Sequence, residues 1–135
     1  LTEQLQIHDI HARIGAERLR VLVERFYFYM DTLPKAKAIR DMHPKALHQS
    51  IEKLYMFLSG LTGGPNLYWE KYGHPRLRAR HLPFPIGADE RDAWLLCMRK
   101  ALDELQLEKQ TDVVLWEYFQ STADFMRNKD ADGSL

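Results

Sequence analysis

Between Gly63 and Gly87 the chain carries Pro65, Pro75, Pro83 and Pro85, too many for one long helix, alongside Leu67, Tyr68, Trp69, Tyr72, Leu77, Leu82 and Phe84. A connection of that length inside a small domain is uncommon unless it has a function of its own. Everything around it is patterned for helices. Leu19, Leu22, Val23, Phe26, Met30 and Leu33 recur at helical steps until Pro34, and Tyr27 shares their face. Leu47, Ile51, Leu54, Leu58 and Leu61 form a second stripe, with Ser50 and Phe57 inside it, that stops at Gly63-Gly64-Pro65. A third helix follows Gly87, with Asp89 and Glu90 in the first turn where the helix dipole favours acids, and repeats at Trp94, Met98, Ala101 and Leu105. A fourth, from about Glu108 to Lys129, repeats at Leu115, Phe119, Thr122 and Met126. No segment alternates with period two. The pattern predicts an all-α domain, either a four-helix bundle or a globin-like packing. A plain bundle has no use for an apolar, proline-rich crossing, whereas a fold that wraps a cofactor does.

At 135 residues the chain is read as one domain over 1–135, with residues 1–9 as an amino-terminal extension and 130–135 as a frayed tail. Lys and Arg number 19 and Asp and Glu 19, for a net charge of 0, which favours neither nucleic acid nor an anionic membrane surface as partner. Cys97 is the only cysteine, excluding an intramolecular disulfide and a cysteine zinc site. No apolar run approaches the roughly 18 residues that cross a bilayer, and charges run through the first 25 residues, so the expected location is the cytoplasm.

Charge is balanced overall but not locally. Arg76-Leu77-Arg78-Ala79-Arg80-His81-Leu82-Pro83-Phe84 sets one imidazole beside three guanidinium groups in an apolar run. A neutral imidazole is a good iron ligand, and arginine grips carboxylates with a fork of donors. That combination suits a flat, doubly anionic iron cofactor with His81 on the iron, although basic residues beside a histidine more often form a solvated face. The other histidines have plainer readings. His8 and His11 sit three apart on a charged terminal helix, His74 precedes Pro75 in a turn, His48 is off its apolar stripe, and His43 occupies a corner before Pro44. Trp94 and Tyr27 fall on buried stripes, yet an indole N–H and a phenol O–H usually find partners when buried. There is no phosphate-binding glycine loop, nucleophile motif or zinc-binding histidine pair.

Taken together, Gly63-Gly64-Pro65, the block from Tyr72-Gly73-His74-Pro75 to Leu82-Pro83-Phe84, Glu90-Arg91-Asp92-Ala93-Trp94-Leu95, Arg25-Phe26-Tyr27 and the His43-Pro44 corner resemble the group II truncated haemoglobins from about Ile10 to Met126. The resemblance implies a shortened, two-on-two globin sandwich of helices around one haem b, with the usual proximal helix reduced to a loop and a short turn. It places His81 as the proximal iron ligand. Tyr27, His43 and Trp94 fall on the three distal positions, Ser50 and Leu54 on the facing distal helix, and Arg80 on a haem propionate with Arg78 as a less certain second. Phe57, Tyr72 and Phe84 are further expected haem contacts. Two departures from the family stand out. His11 precedes Ile14-Gly15-Ala16 where the family has a tyrosine and a Gly-Gly turn, and His43 stands where many globins carry phenylalanine.

The function so implied is reversible binding of O2, and of CO, NO or peroxide, at a five-coordinate iron under a polar distal pocket. A polarised oxygen ligand is a good hydrogen-bond acceptor, so donors aimed at it slow its escape, and three donors suit redox use better than bulk transport. The alternative is an enzyme, a nitric oxide dioxygenase or peroxidase, that needs a partner reductase because the chain has no flavin or nicotinamide motif. A haem-free helical interaction domain is the third reading. Monomer and homodimer are equally compatible with the sequence.

Overall fold

A computed structural model of the chain describes residues 4–129; the tail expected over 130–135 lies outside the described residues, as do residues 1–3. Among the described residues seven helices follow one another: α1 (Ile10–Thr32), α2 (Lys37–Asp41), α3 (His48–Leu61), α4 (Leu67–Tyr72), α5 (Leu77–His81), α6 (Ala88–Leu105) and α7 (Lys109–Phe125), with short 3-10 turns at Ile7–Asp9 and Pro34–Ala36. No strand occurs among the described residues. Helix α1 is the hub, lying against both α3 and α6, while α6 pairs with α7. The result is a sandwich of two helices on two.

The apolar stripes explain the packing. Leu19, Leu22, Val23, Phe26 and Met30 of α1 meet Met98, Ala101 and Leu102 of α6 and Leu115 and Phe119 of α7 in one continuous core. Cys97 is fully buried within it. Burial pushes its thiol up to about 11, so it stays protonated and packs as a small apolar residue. The first helix starts earlier than its stripe suggested, at Ile10, because Gly15 turns the chain with φ 79° and ψ 164° and lets Ile10 and Ile14 bury ahead of the long run. Few residues other than glycine adopt that φ. The single Gly15 therefore makes the turn for which the family uses a glycine pair.

The structure adds detail at three boundaries. Residues 7–9 are part of the fold: the Gln6 N–H donates to the Asp9 carboxylate at 2.9 Å, and the His11 N–H donates to the Thr62 carbonyl at 2.8 Å, seating the turn on the end of α3. The stretch from Gly63 to Gly87 is not all loop, since α4 and α5 form within it, each little more than a turn long. The last helix ends at Phe125 and not near Lys129, because the N–H groups of Asn128 and Lys129 turn away to donate to the Ile86 carbonyl at 2.8 and 3.1 Å.

Candidate functional site

A cavity of about 380 Å3 opens between α3, α5, α6 and α7, within the size range of small-molecule and cofactor sites. It is lined mostly by apolar side chains, among them Ile39, Leu54, Phe57, Leu58, Leu77, Phe84, Ile86, Phe119 and Met126. Into it come Tyr27 from α1, His43 from the corner after α2, Ser50 from α3, Trp94 from α6, and Arg80 and His81 from α5. Groups that lie up to 67 positions apart in sequence thus share one wall.

The two imidazoles are held alike. His81 Nδ1 lies 2.6 Å from the Leu77 carbonyl, and His43 Nδ1 lies 2.8 Å from the Ile39 carbonyl. A carbonyl only accepts, so in each ring Nδ1 donates, which in a neutral imidazole leaves Nε2 with its lone pair. For His81 that is the tautomer a metal ligand requires, with the backbone contact orienting the ring. For His43 it changes the expectation of a third distal donor. Burial, reinforced by Arg40 and His81 nearby, pushes the His43 pKa below its ordinary value, so the ring is neutral at pH 7 and Nε2 accepts.

The two remaining polar groups are donors. The Tyr27 hydroxyl is held protonated by burial alone, far above the usual phenol range. Its ring stands edge-on to Phe26 at 4.9 Å and to His43 at 5.7 Å between centroids. The Trp94 indole is wedged between Phe26 and Phe119, with centroids at 4.9 and 5.7 Å. Neither the Tyr27 hydroxyl nor the Trp94 N–H is a buried atom sealed off without a partner; both belong to side chains on the cavity wall.

Cations stand at the same wall. Arg80 donates through Nε to the Pro75 carbonyl at 2.7 Å, which orients the guanidinium and leaves its terminal nitrogens for an anion. Lys53 of α3, which sequence reading did not single out, also lines the cavity. Arg78 and Tyr72 do not line it. Arg78 donates to the Phe125 and Arg127 carbonyls at 2.5 and 3.0 Å, and Tyr72 stacks outside Tyr68 at 5.0 Å. The missed lining residues Tyr118 and Thr122 of α7 and Met126 just past its end recur at four-residue steps, a signal present in the sequence but indistinguishable there from ordinary core packing.

Among the described residues no group of three or more His, Cys, Asp or Glu could hold a bare metal ion. An iron that brings four macrocycle nitrogens needs only one or two protein ligands. The donor set fits such a group: one orientated imidazole with a free Nε2, an apolar cavity for a flat ring, and Arg80 with Lys53 for acidic substituents.

Comparison with known proteins agrees with this architecture. The profile described as bacterial-like globin matches residues 9–128. The group 2 truncated hemoglobin YjbI of Bacillus subtilis is 43% identical over 116 residues, covering 86% of each chain. Among solved structures, a group II 2-on-2 hemoglobin from Agrobacterium tumefaciens superposes with a TM-score of 0.85 at 42% identity, over 94% of this chain and 97% of that one. A cold-adapted truncated hemoglobin from Pseudoalteromonas haloplanktis gives a TM-score of 0.87 at 38% identity, over 90% and 98%. With its helix order, two-on-two packing and histidine-bearing cavity, the chain belongs to the bacterial-like globins and, within them, to the group II truncated haemoglobins.

Proposed function

We propose that this protein binds haem b in the cavity between α3, α5, α6 and α7, that His81 would be the iron's protein ligand, and that Tyr27, His43 and Trp94 would face the O2 or other small diatomic molecule it takes. When bound, haem supplies an iron centre that coordinates such ligands and exchanges electrons. The observation that carries the reading is the meeting, in one apolar cavity, of an imidazole anchored through Nδ1 to a backbone carbonyl with two aromatic donors. A solved relative from B. subtilis is described as oxygen-avid, which supports the same use here.

Each side chain has a separable task. Trp94 can only donate, so its N–H is the dependable partner for a ligand that gains negative charge. Tyr27 can donate to that ligand or to His43 Nε2, which the neutral His43 ring leaves open as an acceptor. Ser50, Leu54, Phe57 and Phe84 exclude water and shape the ring's seat. Arg80 and Lys53 bind the two carboxylates, replacing the expected pairing of Arg80 with Arg78. Two donors at a polarised ligand favour slow release, which suits redox chemistry on oxygen, nitric oxide or peroxide, with electrons from a partner reductase in the cytoplasm. No helix among the described residues is long and apolar enough to cross a membrane.

An absorbance spectrum of the purified protein tests the proposal. A Soret band that sharpens and shifts when carbon monoxide is added to the reduced protein is expected. A colourless protein that takes up no added haem would overturn it.

A further inference from the structure

Helix α5 carries His81 yet is the least supported helix of the fold. It has 5 residues, none of them buried, and it packs broadly against no other helix. A helix of this length has no stability of its own. What holds it comes from the far end of the chain. The Asn128 side chain accepts the Ile86 N–H at 2.9 Å through Oδ1 and donates through Nδ2 to the Phe84 carbonyl at 2.8 Å and, more weakly, to the His81 carbonyl at 3.3 Å. Backbone N–H groups of Asn128 and Lys129 both donate to the Ile86 carbonyl. From the other side, Arg78 on α5 reaches the Phe125 and Arg127 carbonyls and lays its guanidinium over the Phe125 ring.

We propose that Asn128 and Arg78 are positioning residues for His81: the turn after α7 latches α5 and the loop behind it, and so sets the orientation of the imidazole. The inference rests on the reading of His81 as the iron ligand. The chemistry of the latch is specific. One planar group must accept from an N–H and donate to carbonyls at once, which a carboxamide does and a carboxylate of the same shape cannot. Arg78, in turn, supplies a cation to the carbonyl end of α7, where the helix dipole favours it. His81 is therefore tied at three levels: its ring to Leu77, its own carbonyl to Asn128, and its helix to α7 through Arg78.

Asn128→Asp is the sharpest probe, since it keeps the shape and turns the donor into an acceptor facing two carbonyls. The readouts are the iron–histidine stretching band of the reduced holoprotein by resonance Raman, and the rate of haem transfer to an acceptor apoprotein. A displaced or broadened band with haem loss roughly three- to tenfold faster, the range carried by one or two net hydrogen bonds, is expected. Arg78→Gln should do the same in smaller measure, and it carries the test if Asn128→Asp does not retain haem. Arg18→Ala is the control: it removes a comparable donation, to the Leu105 carbonyl at 3.0 Å, away from α5, and should leave the band in place. An unmoved band in both latch variants, with or without faster haem loss, overturns the positioning role. If the wild type itself shows no iron–histidine band, it is the assignment of His81 that fails, and not the latch alone.

Discussion

The seam between α1 and α6 and the cavity wall carried by α3, α5 and the loop after it both present apolar side chains, but they are packed differently. In the seam, Leu19, Leu22, Val23, Phe26, Met30, Met98, Ala101 and Leu102 are essentially fully buried against one another. On the wall, α3 buries only Leu58 and Ser59, and α5 buries nothing. Leu54, Phe57 and Phe84 face the cavity instead of each other, and Phe84 remains 38% exposed. The contrast teaches that a hydrophobic stripe declares a face to be covered without saying what covers it. In the seam the cover is polypeptide; on the wall the shape and chemistry are those of a cofactor site.

Truncations on the two sides should therefore cost different things. Phe26→Ala should lower unfolding stability by roughly 3–5 kcal/mol, as for a large aromatic removed from a packed core, whereas Phe57→Ala should cost less than about half of that in the apoprotein. Phe57→Ala should act on haem retention instead. Chemical denaturation of both apoproteins, with haem-loss rates for the loaded forms, measures the contrast. Equal stability losses would show that the wall is ordinary core.

Within the wall, donors should separate from packing. Trp94→Phe should speed oxygen dissociation roughly tenfold or more, and Tyr27→Phe about threefold, on the strength of one hydrogen bond to a partly charged acceptor. Carbon monoxide, much less polarised, should respond weakly to both. Parallel shifts for the two gases in stopped-flow mixing would mean altered access to the cavity and would remove the electrostatic account. Arg80→Ala should speed haem loss by a smaller factor, on the order of threefold, through loss of a charge-assisted contact that Lys53 partly replaces. Equal rates in variant and wild type would return Arg80 to solvent.

The smallest expected effect concerns pH. The His43 pKa is lowered on folding, chiefly by burial, so below the ordinary imidazole range the unfolded chain binds the proton first. His43 thus contributes full stability above pH ~6.5 and progressively less as pH falls through its lowered value, by at most about one proton. In the apoprotein, His43→Asn should flatten that part of the stability profile. A steeper profile would reverse the assigned direction.

The order of helices was legible in the sequence because a 3.6-residue stripe is local, and so was the wall's key chemistry. His81 stood out by its basic and apolar neighbours, while Tyr27 and Trp94 read along the chain as buried aromatics and gained a distal role only through the family resemblance; the structure brings all three to one cavity. What was not legible depended on distant partners. Arg78 reads as a twin of Arg80 along the chain, but its targets lie 47 and 49 positions away. The end of α7 could not be placed at Phe125, because Asn128 is drawn off by a loop 42 positions earlier. Lys53 carried no local mark, and the acceptor role of His43 follows from a backbone carbonyl that only the folded corner presents.

The central claim is that the wall is a haem site with His81 as its iron ligand, and the His81→Gly variant tests it most directly. Loss of the Soret band, or a band that returns only with added imidazole, is the predicted result, with His74→Gly leaving the spectrum intact. An unchanged Soret band in His81→Gly would contradict the account.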